Sequence, residues 1–223
     1  MAYGIHKLHM PADPTPSQQV SIVYGGLNEL RARLFSDFGC TLLGYDARGW
    51  YNKGVTRGQA LRYPRTELPG VKCGAIGMEG WSADQYRPTH KTAIRQFESC
   101  HLSRDTVEQH PVEWLAWDAD WFNLQQLRAW LATPGAPGAC TLYRGDHSGE
   151  FLQQVTTRAF MGMVQKYRGQ VYDWSRTVMN DDYGDCLAMC RALAAYHGIG
   201  TCGQVIKQQQ KRRKPGGVTV IAL

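Results

Sequence analysis

Several signatures that would place this chain in a familiar class are missing. No CxxC pair occurs among its seven cysteines, Cys40, Cys73, Cys100, Cys140, Cys186, Cys190 and Cys202, so neither a zinc ribbon nor a thioredoxin-type redox centre is encoded. The dipeptide Gly-Lys never occurs, which removes a P-loop ATPase. GxSxG and HExxH are absent as well, against α/β-hydrolase and zincin readings. No apolar run approaches the roughly 18 residues of a membrane helix. Met1 to Met10 has no continuous apolar stretch behind Lys7, so a signal peptide is not expected there. These absences predict a reduced, soluble, intracellular protein with no membrane partner.

What is present is ordinary globular material: 223 residues, 43% hydrophobic and 20% charged, enough to bury a core. The formal charge of +6 is unevenly placed. Lys207, Lys211, Arg212, Arg213 and Lys214 carry nearly all of the excess, and Pro215-Gly216-Gly217 follows. Such a basic tail suits electrostatic contact with the phosphates of double-stranded DNA, or else simple solubilisation. The seven tryptophans suggest core and interface packing. Cys186, Cys190 and His197 share helical spacing, but free thiols packed as small hydrophobes are the expectation there.

Hydrophobic periodicity outlines the elements. Val20, Val23, Leu27, Leu30, Leu34 and Phe38 recur at helical steps from Gln18 to Phe38. Cys40 to Asp46 reads as a buried strand ending in an acid, and Val112 to Asp118 repeats that device, with Asp120 two residues on. Val71 to Gly77 reads as another strand, Tyr51 to Tyr63 as a short helix, and Trp121 to Leu131 as a helix broken at Pro134 to Gly138. Phe151 to Tyr167 is helical or mixed, Gln170 to Thr177 is a strand, and Asp181 to His197 is the clearest helix; 82–110 has no readable pattern. Alternating strands and helices predict an α/β class.

Three acids stand out by position: Asp46 and Asp118 at strand exits, and Asp185 in the first turns of the last helix. Adjacent strand ends with a helix laid across them can gather three carboxylates. Their mutual repulsion is relieved by Mg²⁺ or Mn²⁺, and two ions about 4 Å apart form a phosphoryl-transfer site. The competing explanation is that acids at strand ends are common in loops and acids near helix starts serve as caps, as Asp181 and Asp182 could. Arg48, Lys53, Arg57 and Arg158 are candidate contacts to a nucleic-acid backbone, or solvated surface charges.

The order of five weak motifs then resembles the nuclease domain of tailed-phage terminase large subunits of the lambda type. They are Asp118 before an amphipathic helix, the Pro134 to Gly138 break, Phe151 with Gln154 and Thr156, Trp174, and Asp185-Cys186 with Ala194-Ala195. Asp46 in LLGYDARGW takes the place of the first-strand acid. The resemblance spans about residues 39–200 and implies a ribonuclease-H-like fold, a mixed central sheet flanked by helices. Residues 1–38 would then be a linker and helix, and 201–223 a basic tail. It further implies a two-metal endonuclease that hydrolyses phosphodiesters of viral duplex DNA during genome packaging in the host cytoplasm. Asp46, Asp118 and Asp185 would be catalytic metal ligands, with Asp120 a rival second ligand and Asp182 an auxiliary acid. The packaging ATPase, absent from this chain, the small terminase subunit and the portal would be partners. A junction-resolvase-like nuclease and a non-catalytic DNA-binding subunit are the alternatives.

Overall fold

Alternation of apolar residues along one strand organises the molecule. In β5 (His110–Asp118), Val112, Trp114 and Ala116 join one hydrophobic cluster while Leu115 and Trp117 join another, so both faces of the strand are covered. A computed structural model describes residues 15–48, 55–87, 93–97, 99–142, 149–166, 169–177 and 181–199. Around β5 it forms a five-stranded mixed sheet in the order β1-β2-β5-β4-β3. β1 (Leu42–Asp46) and β2 (Gly74–Trp81) run parallel to each other and to β5; β4 (Cys100–Val107) and β3 (Ala93–Phe97) continue antiparallel. The chain is therefore mixed α/β, with helices on both faces of a central sheet.

One face is covered by α1 (Pro16–Phe38) and α2 (Arg57–Arg62), whose residues pack with Tyr45, Trp114 and Ala116. A capping box explains where α1 starts: the Thr15 hydroxyl accepts from Gln18 N, and the Gln18 side chain accepts from Thr15 N. Gly39, at φ +63°, ends the helix in the left-handed conformation that glycine adopts without a Cβ penalty. Buried Arg31 donates to Cys73 O at 2.8 and 2.6 Å and to Thr66 O at 2.9 Å, tying α1 to the approach to β2. The N-terminal helix thus packs into the same core as the sheet.

The opposite face carries α3 (Ala119–Leu131) and α5 (Asp182–Tyr196), which meet each other and bury Phe122, Ala188 and Ala192 against Met78, Leu115 and Trp117. α5 lies across β1 and β4. Beyond α4 (Gly149–Val155), β6 (Arg158–Lys166) and β7 (Gly169–Arg176) form a separate antiparallel ribbon with a bulge between Phe160 and Gly162. Among the described residues, no helix is long and apolar enough to cross a membrane.

Two stretches behave differently from their sequence pattern. The unreadable 82–110 segment contains β3 and all of β4, where polar His101 and Ser103 are buried and mask the apolar alternation. The ambiguous Phe151–Tyr167 segment divides into the end of α4 and β6.

Candidate active site at the carboxyl edge of the parallel strands

Because β1, β2 and β5 are parallel, their carboxyl ends meet at one sheet edge, the usual location of ligand sites in such sheets. Asp46, the last residue of β1, is exposed there, and its Oδ1 accepts from Arg48 N at 3.0 Å. On β2, Glu79 is buried and takes two hydrogen bonds from the Arg57 guanidinium, at 2.8 and 3.0 Å. Arg57 in turn lies over the Trp114 ring, 4.6 Å from its centre. This pair closes the α2 side of the edge and leaves Glu79 neutralised.

Register determines which acids can meet. Asp46 is level with Met78, and Met78 with Leu115, whereas Asp118 is level with Trp81. Asp118 is therefore three residues further along the strand direction, about 10 Å, and two strand spacings across, about 10 Å more. One ion with oxygen ligands near 2.1 Å cannot be shared across that gap. In this register Asp118 is not beside Asp46.

Asp118 has a different occupation. It is the N-cap of α3, its Oδ1 accepting from Trp121 N at 3.0 Å. Burial pushes its carboxyl up from the ordinary 3.8 to about 6; the Trp121 N–H opposes that rise and the charge of Asp120 adds to it. Asp120 is committed too, since Oδ2 accepts from Ala83 N at 2.8 Å and Oδ1 from Trp174 Nε1 at 2.9 Å. It ties α3 to the segment after β2 and to β7, which explains why an acid at this position need not be a metal ligand.

The third acid does approach the first. The partly buried Cys186 thiol, one turn into α5, is pushed up to about 12, mainly by burial, then by Cys190 and by the charges of Asp185, Asp182 and Asp46. Asp46 from β1 and Asp182 and Asp185 from α5 thus lie within electrostatic reach of one thiol. Arg158, at the start of β6, bonds both Asp181 and Asp185; its Nη2 is 2.6 Å from Asp185 Oδ1. Asp181 and the Arg158 side chain are largely buried, while the Asp185 side chain is 45% exposed, so Asp185 keeps an open side. Gln154 completes this corner by accepting from Tyr183 N at 3.1 Å.

α5, which carries Asp185, packs against β1, which ends in Asp46, while Asp118 and Asp120 are held at the start of α3. Among the described residues, no three His, Cys, Asp or Glu side chains are grouped to hold a metal ion. Mg²⁺ is often held by one or two carboxylates, with waters and substrate phosphate completing its shell, and Asp46 and Asp185 are hard oxygen donors of that kind. Reading by spacing missed Glu79 as an edge acid and Asp181 and Arg158 as partners, because contacts 22 and 23 residues apart leave no local signal. The basic tail from Lys207 to Lys214, including Lys211, Arg212 and Arg213, and Lys53 in the α2 lead-in are outside the described residues. No family model, curated protein or solved structure matches the chain.

Proposed function

We propose that this chain is a metal-dependent endonuclease for double-stranded DNA, built on a ribonuclease-H-like arrangement of its mixed sheet. Its setting would be viral genome packaging in the host cytoplasm, as the nuclease part of a terminase working with a separate ATPase, a small subunit and a portal. One observation supports the reading: α5, with Asp185 in its first turns, packs against β1, which ends in Asp46 at the carboxyl edge of the parallel strands. Holding Mg²⁺ or Mn²⁺ would fall to these two residues, with Asp182 an auxiliary acid. A cation there supplies water activation and charge relief at a phosphodiester.

The chain's own residues prepare that edge. Arg158 orients Asp185 and offsets the repulsion between Asp181 and Asp185, so the acids can stand together before any substrate arrives. Arg57 keeps buried Glu79 neutralised and out of the reaction. Asp118 starts α3, and through α3 it supports α5.

A second reading, a non-catalytic DNA-binding packaging subunit, draws on the absence of a three-donor group among the described residues. Supercoiled plasmid incubated with Mg²⁺, Mn²⁺ or EDTA separates the two. The nuclease reading expects nicked and linear products with either cation, none with EDTA, and none from Asp46→Asn. A folded protein that binds DNA but cuts with neither cation favours the binding subunit; preference for branched over linear DNA points to a resolvase-like nuclease.

A further inference from the structure

Of the four cations that the sequence offers to a nucleic-acid backbone, three are described, and the structure treats them unequally. Arg57 is bound to Glu79, and Arg158 to Asp181 and Asp185, so both guanidinium charges are already matched by carboxylates. Lys53 is outside the described residues. Arg48 is exposed, follows Asp46 by two residues, and has no carboxylate partner on its side chain among the described residues. It is nevertheless held in place: its guanidinium lies over the Trp81 ring, 4.3 Å from the centre, and Nη1 donates to Gly80 O. Its own backbone N–H donates to Asp46 Oδ1, fixing the turn that follows β1.

Resting on the nuclease reading, we propose that Arg48 is the backbone-phosphate contact of this site, gripping a phosphate next to the one presented to Asp46. A guanidinium offers five donors in a planar fork, of which one is spent on Gly80 O, leaving an edge that matches two phosphate oxygens. Stacking on Trp81 supplies orientation without neutralising the charge, so little side-chain freedom is lost when phosphate binds. The ion-paired arginines would each have to leave a carboxylate first. Electrostatic attraction at the sheet edge therefore concentrates on Arg48.

The test is fluorescence anisotropy of a labelled duplex of about 30 base pairs, in EDTA, across a salt series, for the full chain and two variants. Arg48→Gln is expected to weaken binding about tenfold at low salt and to reduce the log–log salt slope by about 0.9, the share of one phosphate. Arg48→Lys keeps the charge and loses the fork, so it retains the slope and weakens binding several-fold. Thermal melts confirm that the variants fold; if Arg48→Gln melts early, Arg48→Lys carries the test, and unchanged affinity overturns the proposal. With wild type binding duplex, an Arg48→Gln slope equal to wild type removes Arg48 from the interface and leaves the nuclease reading standing. Wild type that fails to bind duplex at low salt overturns both.

Discussion

The five-stranded sheet and the β6–β7 ribbon are held by different forces. In the sheet, Leu115 and Phe122 are fully buried between layers, and helices cover both faces. The ribbon exposes Met161 and Met163 at 65% and 47%, and two strands alone are marginal in water. What secures the ribbon is polar: Trp174 to Asp120, Arg158 to Asp181 and Asp185, and the Thr157 and Thr177 hydroxyls 3.0 Å apart. Hydrophobic burial fixes where the sheet edge lies, whereas charged ties decide how α5 presents its acids to that edge. The candidate site spans the two regimes, with Asp46 on the first and Asp185 on the second.

The sharpest way to break this comparison is to remove one anchor from each region. Phe122 packs edge-on against Trp117 and Trp121, with ring centres 6.0 and 4.8 Å away. Phe122→Ala should cost about 3–5 kcal/mol in urea unfolding, with the whole sheet losing hydrogen-exchange protection together. A cost below about 1 kcal/mol would mean that the core does not rest on this residue.

Arg158→Met should cost about 3 kcal/mol, because Asp181, with its side chain only 7% exposed, loses its ion pair with Arg158. Here the loss should be local: amides of the ribbon and of the first turns of α5 exchange faster, while those of β2 and β5 hold. Uniform loss of protection would show that the ribbon is no separate unit.

A smaller effect follows from Asp118. Its folded carboxyl titrates near 6 rather than at the ordinary 3.8, so the fold favours the protonated form. That contribution is fully present below about pH 4 and is lost as pH rises through about 6. Asp118→Asn keeps a capping side chain and cannot ionise. It should match wild type near pH 4 and exceed it by about 1–3 kcal/mol above pH 6. Parallel stability-against-pH curves for the two proteins would contradict the assigned burial.

Legibility in the sequence followed the same division. β1, β5, α3 and α5 were readable because an apolar run or helical stripe ended in an acid, and each acid does mark a strand or helix terminus. β4 was hidden by His101, whose Nδ1 is 3.0 Å from the Tyr86 hydroxyl, a buried polar pair that interrupts the apolar pattern. The candidate site was half legible. That Asp46 and Asp118 end strands is a local fact, but the three-residue offset between them depends on strand pairing, which spacing does not encode. Asp118 stood out as a strand end, and its capping bond from the Trp121 N–H is visible only in the structure. Arg158 stood out only as a charge, since its partners are 23 and 27 residues away.

The most direct test of the central claim is plasmid cleavage in Mn²⁺ by Asp46→Asn, Asp185→Asn and Asp118→Asn, side by side with wild type. A centre on Asp46 and Asp185 predicts that wild type and Asp118→Asn cut while the other two variants lose cutting by at least about a hundredfold. Loss in Asp118→Asn equal to that in Asp46→Asn, with all proteins folded, would contradict the account and return Asp118 to the reacting centre.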